Sequence, residues 1–365
     1  MQHDYRELTR RVRAAGLLAR QPRHYLGRLL AVGALLALGL LLVARFRAPW
    51  QLALAALYLA VVAVQLAFLV HDAGHRQAFA HRWQNDLAGL LLGDLLLGVS
   101  YGWWVQKHNA HHANPNHADL DPDIDLPLIA FSPAQAAQKR GLARAIARRQ
   151  AYWALPLLSL VAYGQRLASI QFLLAGRSRY RRWEVAALVG HLALYVGVPL
   201  YALGPWSALL LLAVHQAAMG VYLGLVFAPN HKGMALADAA APLDALRAQV
   251  LTARNVRPSA LVDWWYGGLN YQIEHHLFPA LARNRLRAAR PIIRGFCRER
   301  GIAYHETSVA GSYREILGYL HAMGAPLRAH PPTPRRARAA VPVAASAPLR
   351  AGHGGRTPPG GEGRP

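Results

Sequence analysis

Residues 52–70, LALAALYLAVVAVQLAFLV, run without a charge into His71-Asp72-Ala73-Gly74-His75. A hydrocarbon core about 30 Å thick needs roughly 20 apolar helical residues at 1.5 Å each. The run therefore reads as a membrane span, and the histidine pair sits where that span leaves the apolar layer. Residues four apart on a helix share a face, so His71 and His75 offer both imidazoles to one region.

Working outward, three more runs have the length of a span. Residues 26–45 precede the first across a short turn holding Arg45, Arg47 and Pro49. Residues 185–203 and 209–228 form a second pair joined by Gly204, Pro205, Trp206 and Ser207. The expectation is four transmembrane helices in two hairpins, which returns every histidine cluster to one face. Residues 87–105 are apolar but carry Asp94 and four glycines. They read as a helix only partly embedded, because a full crossing would part the clusters on either side. An acid there calls for a partner. Residues 151–175, broken by Pro156, Gly164, Gln165 and Arg166, read as one interfacial helix or two short ones. His215, inside the last span, reads as packing against polar groups.

Residues 231–325 are expected to form a helical cap, and 29–325 a single membrane domain. Residues 1–28 read as a basic N-terminal arm, an amphipathic helix or flexible segment without a signal-peptide pattern. Residues 326–365, rich in Pro, Arg, Ala and Gly, read as a disordered tail. The fold class is thus an all-α integral membrane protein with interfacial helices and a cap.

The chain is 54% hydrophobic and 16% charged, where a soluble domain carries about a quarter charged residues. Its net charge of +23 comes from arginines flanking apolar segments. That placement suits anionic lipid headgroups and argues against nucleic acid. The turns between paired spans carry only Arg45 and Arg47. The arm, middle segment and cap carry the rest, which by the positive-inside rule are cytoplasmic, in a multi-pass protein of the cell membrane with both termini and the site inside. One cysteine, Cys297, leaves no intrachain disulfide and no Cys-rich metal cluster.

Histidine is abundant, with 18 residues. Beside His71 and His75 stand His108-Asn109-Ala110-His111-His112, then Gln272-Ile273-Glu274-His275-His276, and His231 after the fourth span. His81, His117, His191, His305 and His321 read as surface or packing residues. Buried imidazoles need partners, and His71, His75, His108, His111, His112, His231, His275 and His276 exceed one metal's coordination but suit two. Imidazole alone leaves iron, zinc, copper and nickel open. Asp72, Asp119, Asp121, Asp123 and Glu274 are placed to accept hydrogen bonds from ligand imidazoles. Gln272 and Asn230 are placed to touch a metal directly or through water. A non-enzymatic metal carrier is the remote alternative; it would string polar groups through the membrane depth, whereas these clusters gather at one face.

The combination of His-Asp-x-x-His, His-x-x-His-His and Gln-x-x-His-His around two apolar hairpins resembles the membrane-bound fatty acid desaturase family over residues 52–305. It is similar to bacterial acyl-CoA and front-end (linoleoyl-CoA-like) members. The resemblance implies two non-haem irons, dioxygen as co-substrate and two external electrons. It implies a cis double bond made in a long-chain acyl substrate, with acyl-CoA favoured over acyl-lipid. The ligand roles fall on His71, His75, His108, His111, His112, His275 and His276, with His231 matching an extra histidine of relatives. Gln272 stands where many relatives have histidine. A fused cytochrome domain marked by His-Pro-Gly-Gly has no counterpart string. Electrons are therefore expected from a separate ferredoxin, cytochrome or flavin/iron–sulfur reductase, with Arg285, Arg287, Arg290 and Arg294 attracting an acidic carrier or meeting lipid headgroups. Trp103, Trp104, Trp264, Trp265 and Tyr266 are expected at the substrate entrance or as interfacial anchors. The same oxygen chemistry stopped halfway would hydroxylate a fatty acid, alkane or sphingoid base.

Overall fold

The computed structural model describes residues 2–237 and 243–329. The expected tail falls mostly on residues 330–365, outside the described residues. Its first residues belong instead to a short helix, Ala325–Ala329.

The N-terminal arm is a helix, α1 (Gln2–Ala14), and it is docked. Its apolar stripe buries Leu8 and Val12 with Leu17 beyond it. Its polar side ties Arg11 to Glu7 and Glu299. Next come α2 (Pro22–Arg45) and α3 (Pro49–Gly74), each opened by a proline in its first turn. A proline there removes no needed hydrogen bond, because the first N–H groups of a helix have no intrahelical acceptor.

Then α4 (Arg82–Gly89) passes into a π-helical stretch, Leu90–Leu97, and α5 (Tyr101–Ala113) leaves it at a bend of 110°. The sequence predicts one partly embedded helix here; the structure makes a sharp turn, and the buried acid explains how. Asp94 Oδ2 accepts from Tyr101 N at 3.1 Å, Glu184 Oε1 from Gly102 N at 2.8 Å, and Ser100 Oγ from Trp103 N at 3.0 Å. The first three orphan N–H groups of α5 are thus all satisfied without water. Gly98 takes the left-handed corner at φ +69°, where an added Cβ would lie 2.3 Å from the His191 ring.

Short helices α6 (Pro133–Gln138), α7 (Gly141–Arg148), α8 (Gln150–Leu158) and α9 (Val161–Leu174) follow. α8 and α9 meet at 69°, two short pieces rather than one. Their corner presses carbonyl oxygens of Leu158 and Ser159 against Gly220 of the long helix that follows. α10 (Arg181–Leu192), a π turn at Ala193–Gly197 and α11 (Val198–Leu203) make the next apolar rod, followed by α12 (Pro205–His231).

Among the described residues, four helical rods have the length and apolarity to cross a membrane, or up to six if each bent pair counts as one. In α3 and α12, 61% and 50% of the apolar window is buried, against 11% and 6% in α2 and Arg181–Leu203. The first two form the core and the others present leucines such as Leu30, Leu41 and Leu192 outward, an apolar surface that lipid would cover. Between the rods, His215 Nδ1 meets Tyr195 Oη at 2.7 Å, as expected of a packing histidine.

The remaining chain supplies α13 (Ala245–Leu251), α14 (Ala260–Trp265), α15 (Gln272–Leu277), α16 (Leu286–Glu299), α17 (Val309–Met323) and α18 (Ala325–Ala329). Asp244, Ser259 and Ser308 cap three of them. The protein is not purely helical: β1 (Asn255–Val256) and β2 (Glu306–Thr307) form a two-residue parallel ladder. It clasps α15 between the segments before and after it.

Candidate metal centre

His71 ends α3 and His75 is its cap; His108, His111 and His112 lie on α5; His231 is the last residue of α12; His275 and His276 lie on α15. The structure brings all eight together. The donor atoms of His71, His75, His108 and His275 lie within 4.8 Å of one another, and so do those of His111, His231 and His276. His112 sits between the groups, its Nε2 3.1 Å from Nε2 of both His108 and His275, its ring stacked on His276 at 4.2 Å.

Proton bookkeeping decides what this arrangement holds. His231 Nδ1 donates to the Thr252 carbonyl at 2.9 Å, and His276 Nδ1 to Gln249 Oε1 at 2.8 Å. His111 Nδ1 lies 3.0 Å from both oxygens of Asp121. With each proton on Nδ1, each Nε2 carries a lone pair. Those lone pairs converge: His231 Nε2 is 3.2 Å from His111 Nε2 and 3.0 Å from His276 Nε2. Three buried acceptors facing one another, with the Gln272 amide reaching His231 Nε2 alone at 3.0 Å, is a costly arrangement. Protonating His276 does not relieve it, because burial, and then the neighbouring rings, push that imidazole well below the ordinary histidine range. A cation does. Metal–imidazole bonds of about 2.0–2.1 Å put neighbouring ligand nitrogens roughly 3.0–3.4 Å apart, which matches. In the other group, His71 Nε2 is buried without a partner and His75 Nε2 lies 2.9 Å from His108 Nε2. The donor set therefore fits two metal positions.

The groups behind the imidazoles divide in the same way. Asp72 Oδ1 faces His71 Nδ1 at 3.3 Å and its other oxygen pairs with Arg283 at 2.5 Å. Burial alone would raise Asp121, but the hydrogen bond from His111 holds it below the usual carboxylate range. Burial would likewise raise Asp123, and the Lys107 charge, with that of Lys232, outweighs it. Asn116, in the left-handed region at φ 54°, gives its N–H to Asp121 and its side-chain amide to the His231 carbonyl. The loop after α5 is thereby bound to the end of α12.

Two expected acceptors are elsewhere. Glu274 lies on the face of α15 opposite residues 272, 275 and 276. Its oxygens take hydrogen bonds from Tyr304 Oη and Asn255 Nδ2, both at 2.7 Å, and burial raises its pKa. Asp119 is exposed. Gln272 does reach the centre, its amide nitrogen position 3.0 Å from His231 Nε2 while its Oε1 has no partner. Asn230 is buried with neither side-chain polar atom paired. Trp104 stacks on His108 at 4.5 Å and Trp265 on Tyr222 at 4.0 Å, while Tyr266 is buried; Trp104 walls the histidine cluster, and Trp265 and Tyr266 pack inside. Sequence reasoning missed Asn116, Gln249, Thr252, Asn255 and Arg283, which hold ligands or their helices from outside the histidine strings.

From Arg76, next to His75, opens a cleft of about 230 Å³ lined by Arg76, Arg82, Arg177, Arg179, Tyr101, Tyr180 and the carboxylate Asp86, which pairs with Arg76. A second cleft of about 390 Å³ shares Arg76 and Arg82 and adds Arg20. Arg76 follows His75 directly and holds a left-handed backbone at φ 58°.

Comparison with known proteins places the chain in a family. A family model, fatty acid desaturase, matches residues 48–308. An acyl-lipid (9-3)-desaturase of Physcomitrium patens is 32% identical over 86% of this chain and 61% of its own length. A Delta(6)-fatty-acid desaturase of Caenorhabditis elegans is 34% identical over 70% of this chain and 60% of its own. A Delta 8-(E)-sphingolipid desaturase of Emericella nidulans is 28% identical over 70% and 51%. The chain thus spans about 60% of the length of the first two relatives. With the matched segment running from α3 to the end of β2 and carrying every histidine of the cluster, this chain belongs to the fatty acid desaturase family.

Proposed function

We propose that this chain is a dioxygen-dependent fatty acyl desaturase that introduces a cis double bond into a long-chain acyl substrate. The observation that carries the reading is the convergence of unprotonated Nε2 atoms from His111, His231 and His276 beside a second group from His71, His75, His108 and His275. His112 serves between them. Two irons bound there would supply reductive activation of dioxygen and removal of two hydrogens from adjacent methylenes. The protein's own contribution is positioning and exclusion of water. Nδ1 hydrogen bonds hold His71, His111, His231 and His276 as neutral donors. Gln272 and Asn230 offer further oxygen atoms directly or through water. Trp104 covers one side of the cluster with an apolar face.

In this reading α2 with α3, and Arg181–Leu203 with α12, form two transmembrane hairpins. The histidine cluster, the cap and both termini face the cytoplasm. The acyl chain lies among the apolar rods, and its polar end meets the arginine-lined cleft beside His75. That cleft suits the phosphates of coenzyme A, the carrier favoured by the sequence. The moss relative's name points to acyl-lipid, whose phosphate has the same chemistry. Electrons come from a separate ferredoxin, cytochrome or reductase. On α16, Arg290 already pairs with Glu306 and Arg287 with Asp263, leaving Arg294 exposed toward such a carrier.

The test is fatty acid analysis of cells expressing the full chain against His111→Ala, with iron measured on the purified proteins. The expected result is a new product two hydrogens lighter, made only by the unmutated chain, with about two irons per chain and fewer in the variant. A product heavier by one oxygen would replace desaturation with hydroxylation of a fatty acid, alkane or sphingoid base. Equal iron and equal product in His111→Ala would overturn the ligand assignment.

A further inference from the structure

One short segment, residues 249–255, bonds to His231, to His276 and to the backbone of His112. Thr252 O accepts from His231 Nδ1, and Arg254 N donates to Asn230 O at 2.8 Å. The Arg254 guanidinium, wholly buried, donates to the carbonyls of Pro229 and Lys232 at 2.8 Å each and pairs with Glu315. It thus binds the last turn of α12, where His231 sits. Asn255 Oδ1 accepts from Ile273 N at 2.9 Å and its Nδ2 donates to Glu274, fixing the first turn of α15.

Gln249 completes the set, and its amide orientation is fixed. Its Nε2 donates to the His112 carbonyl at 2.9 Å, which accepts only, so Oε1 must face His276. That oxygen accepts the Nδ1 proton of His276 and aims the Nε2 lone pair at the cluster. One side chain therefore joins the second histidine string to the third and sets a ligand tautomer. Nothing in the local sequence, Leu246-Arg247-Ala248-Gln249-Val250, marks it as part of the site.

We propose that Gln249 is the positioning residue of the His111, His231 and His276 metal position, acting from a strap, residues 249–255, that holds that position together. The inference rests on the two-metal reading above. It predicts that the two positions respond differently when Gln249 changes, because no residue of the strap contacts His71, His75 or His108 in the hydrogen bonds described.

The experiment uses the full chain in detergent, measuring iron per chain, a chelator titration and the visible spectrum of the cobalt-substituted protein. Gln249→Leu keeps the size and removes both hydrogen bonds. It is expected to weaken one of two metals by about 10- to 100-fold, the scale for losing a partner behind a ligand histidine, and to alter the cobalt bands, while the other metal titrates as before. Gln249→Glu keeps an acceptor for His276 Nδ1 but gives up the bond to the His112 carbonyl, and is expected to hold the second metal more tightly than Gln249→Leu and to shift the spectrum back toward that of the unmutated protein. Two metals with unchanged affinity and spectrum in Gln249→Leu would overturn the assignment. So would equal loss of both metals in the two variants, which marks general unfolding. If the unmutated chain binds no metal pair, the two-metal reading fails first, and that outcome is visible without any variant.

Discussion

Replacing Asp121 with asparagine tests the proton bookkeeping of the centre. Asp121 is buried, and both its oxygens are acceptors. Oδ1 takes His111 Nδ1 at 3.0 Å and Asp123 N at 2.8 Å; Oδ2 takes His111 Nδ1 at 3.0 Å and Asn116 N at 2.8 Å. An asparagine has one acceptor and one NH2. Whichever way it sits, the NH2 faces a backbone donor, so one buried N–H goes unsatisfied at about 1–3 kcal/mol. The variant has a second escape: the amide donates to His111 Nδ1, and the imidazole moves its proton to Nε2. That removes the lone pair His111 directs at His231 and His276. The first route lowers stability; the second weakens the second metal position by about 10- to 100-fold, about 1.4–2.7 kcal/mol at 1.36 per decade. The assay is iron per chain after equilibration with a graded chelator, with thermal unfolding in the same detergent as a folding control. Asp121→Asn with two irons held as tightly as in the unmutated chain, within twofold, and an unchanged unfolding temperature would refute the argument that the Nδ1 partner fixes the ligand.

Two further substitutions separate function from stability. Arg76→Gly relieves a left-handed backbone at φ 58° that costs a side-chain-bearing residue roughly 1–2 kcal/mol. It also removes one cation from the cleft beside His75, so unfolding is expected at higher temperature while KM for the acyl donor rises. Unchanged KM would remove Arg76 from substrate binding. Gly220→Ala places a Cβ 2.6 Å from Leu158 O and 2.8 Å from Ser159 O, forcing the α8–α9 corner away from α12 at about 1–3 kcal/mol. Gly164→Ala, with nothing within 4 Å of the added carbon, is the control and should stabilise α9 by up to about 1 kcal/mol. Equal unfolding temperatures for the two would deny the close approach at Gly220.

The parts legible in the sequence are those carried by spacing. Apolar length marked the spans, and i,i+4 and i,i+3 spacing marked the histidines. Period also placed Gln272 on the face of His275 and His276. It should equally have turned Glu274 away, since a residue two after Gln272 lies on the opposite side of the helix. What spacing could not show is where chain direction reverses. Residues 82–113 bend because Asp94 and Glu184, 90 positions apart, jointly cap α5, and no local pattern announces a cap supplied by another helix. The docked arm was hidden for a related reason. Its arginines dominate the composition, while Leu8 and Val12, which decide its packing, are two residues in thirteen.

The groups behind the ligands show why so few charges enter the cluster itself. Every donor atom gathered there is a neutral imidazole nitrogen, and the carboxylates stand one hydrogen bond further out. Asp72 is balanced by Arg283, and Asp121 with Asp123 by Lys107 and Lys232. A carboxylate bound directly would lower the effective charge on a metal; a balanced one behind an imidazole fixes orientation and changes that charge far less. The two positions are not equivalent in this respect. The first has one carboxylate, 2.5 Å from the Arg283 guanidinium. The second has two, with His111 between 3.0 and 3.5 Å from both, and His276 held instead by a neutral amide. With two lysines against two carboxylates there and one arginine against one carboxylate at Asp72, neither group carries a net charge behind it, and the two positions differ instead in the hydrogen bonds that aim their imidazoles.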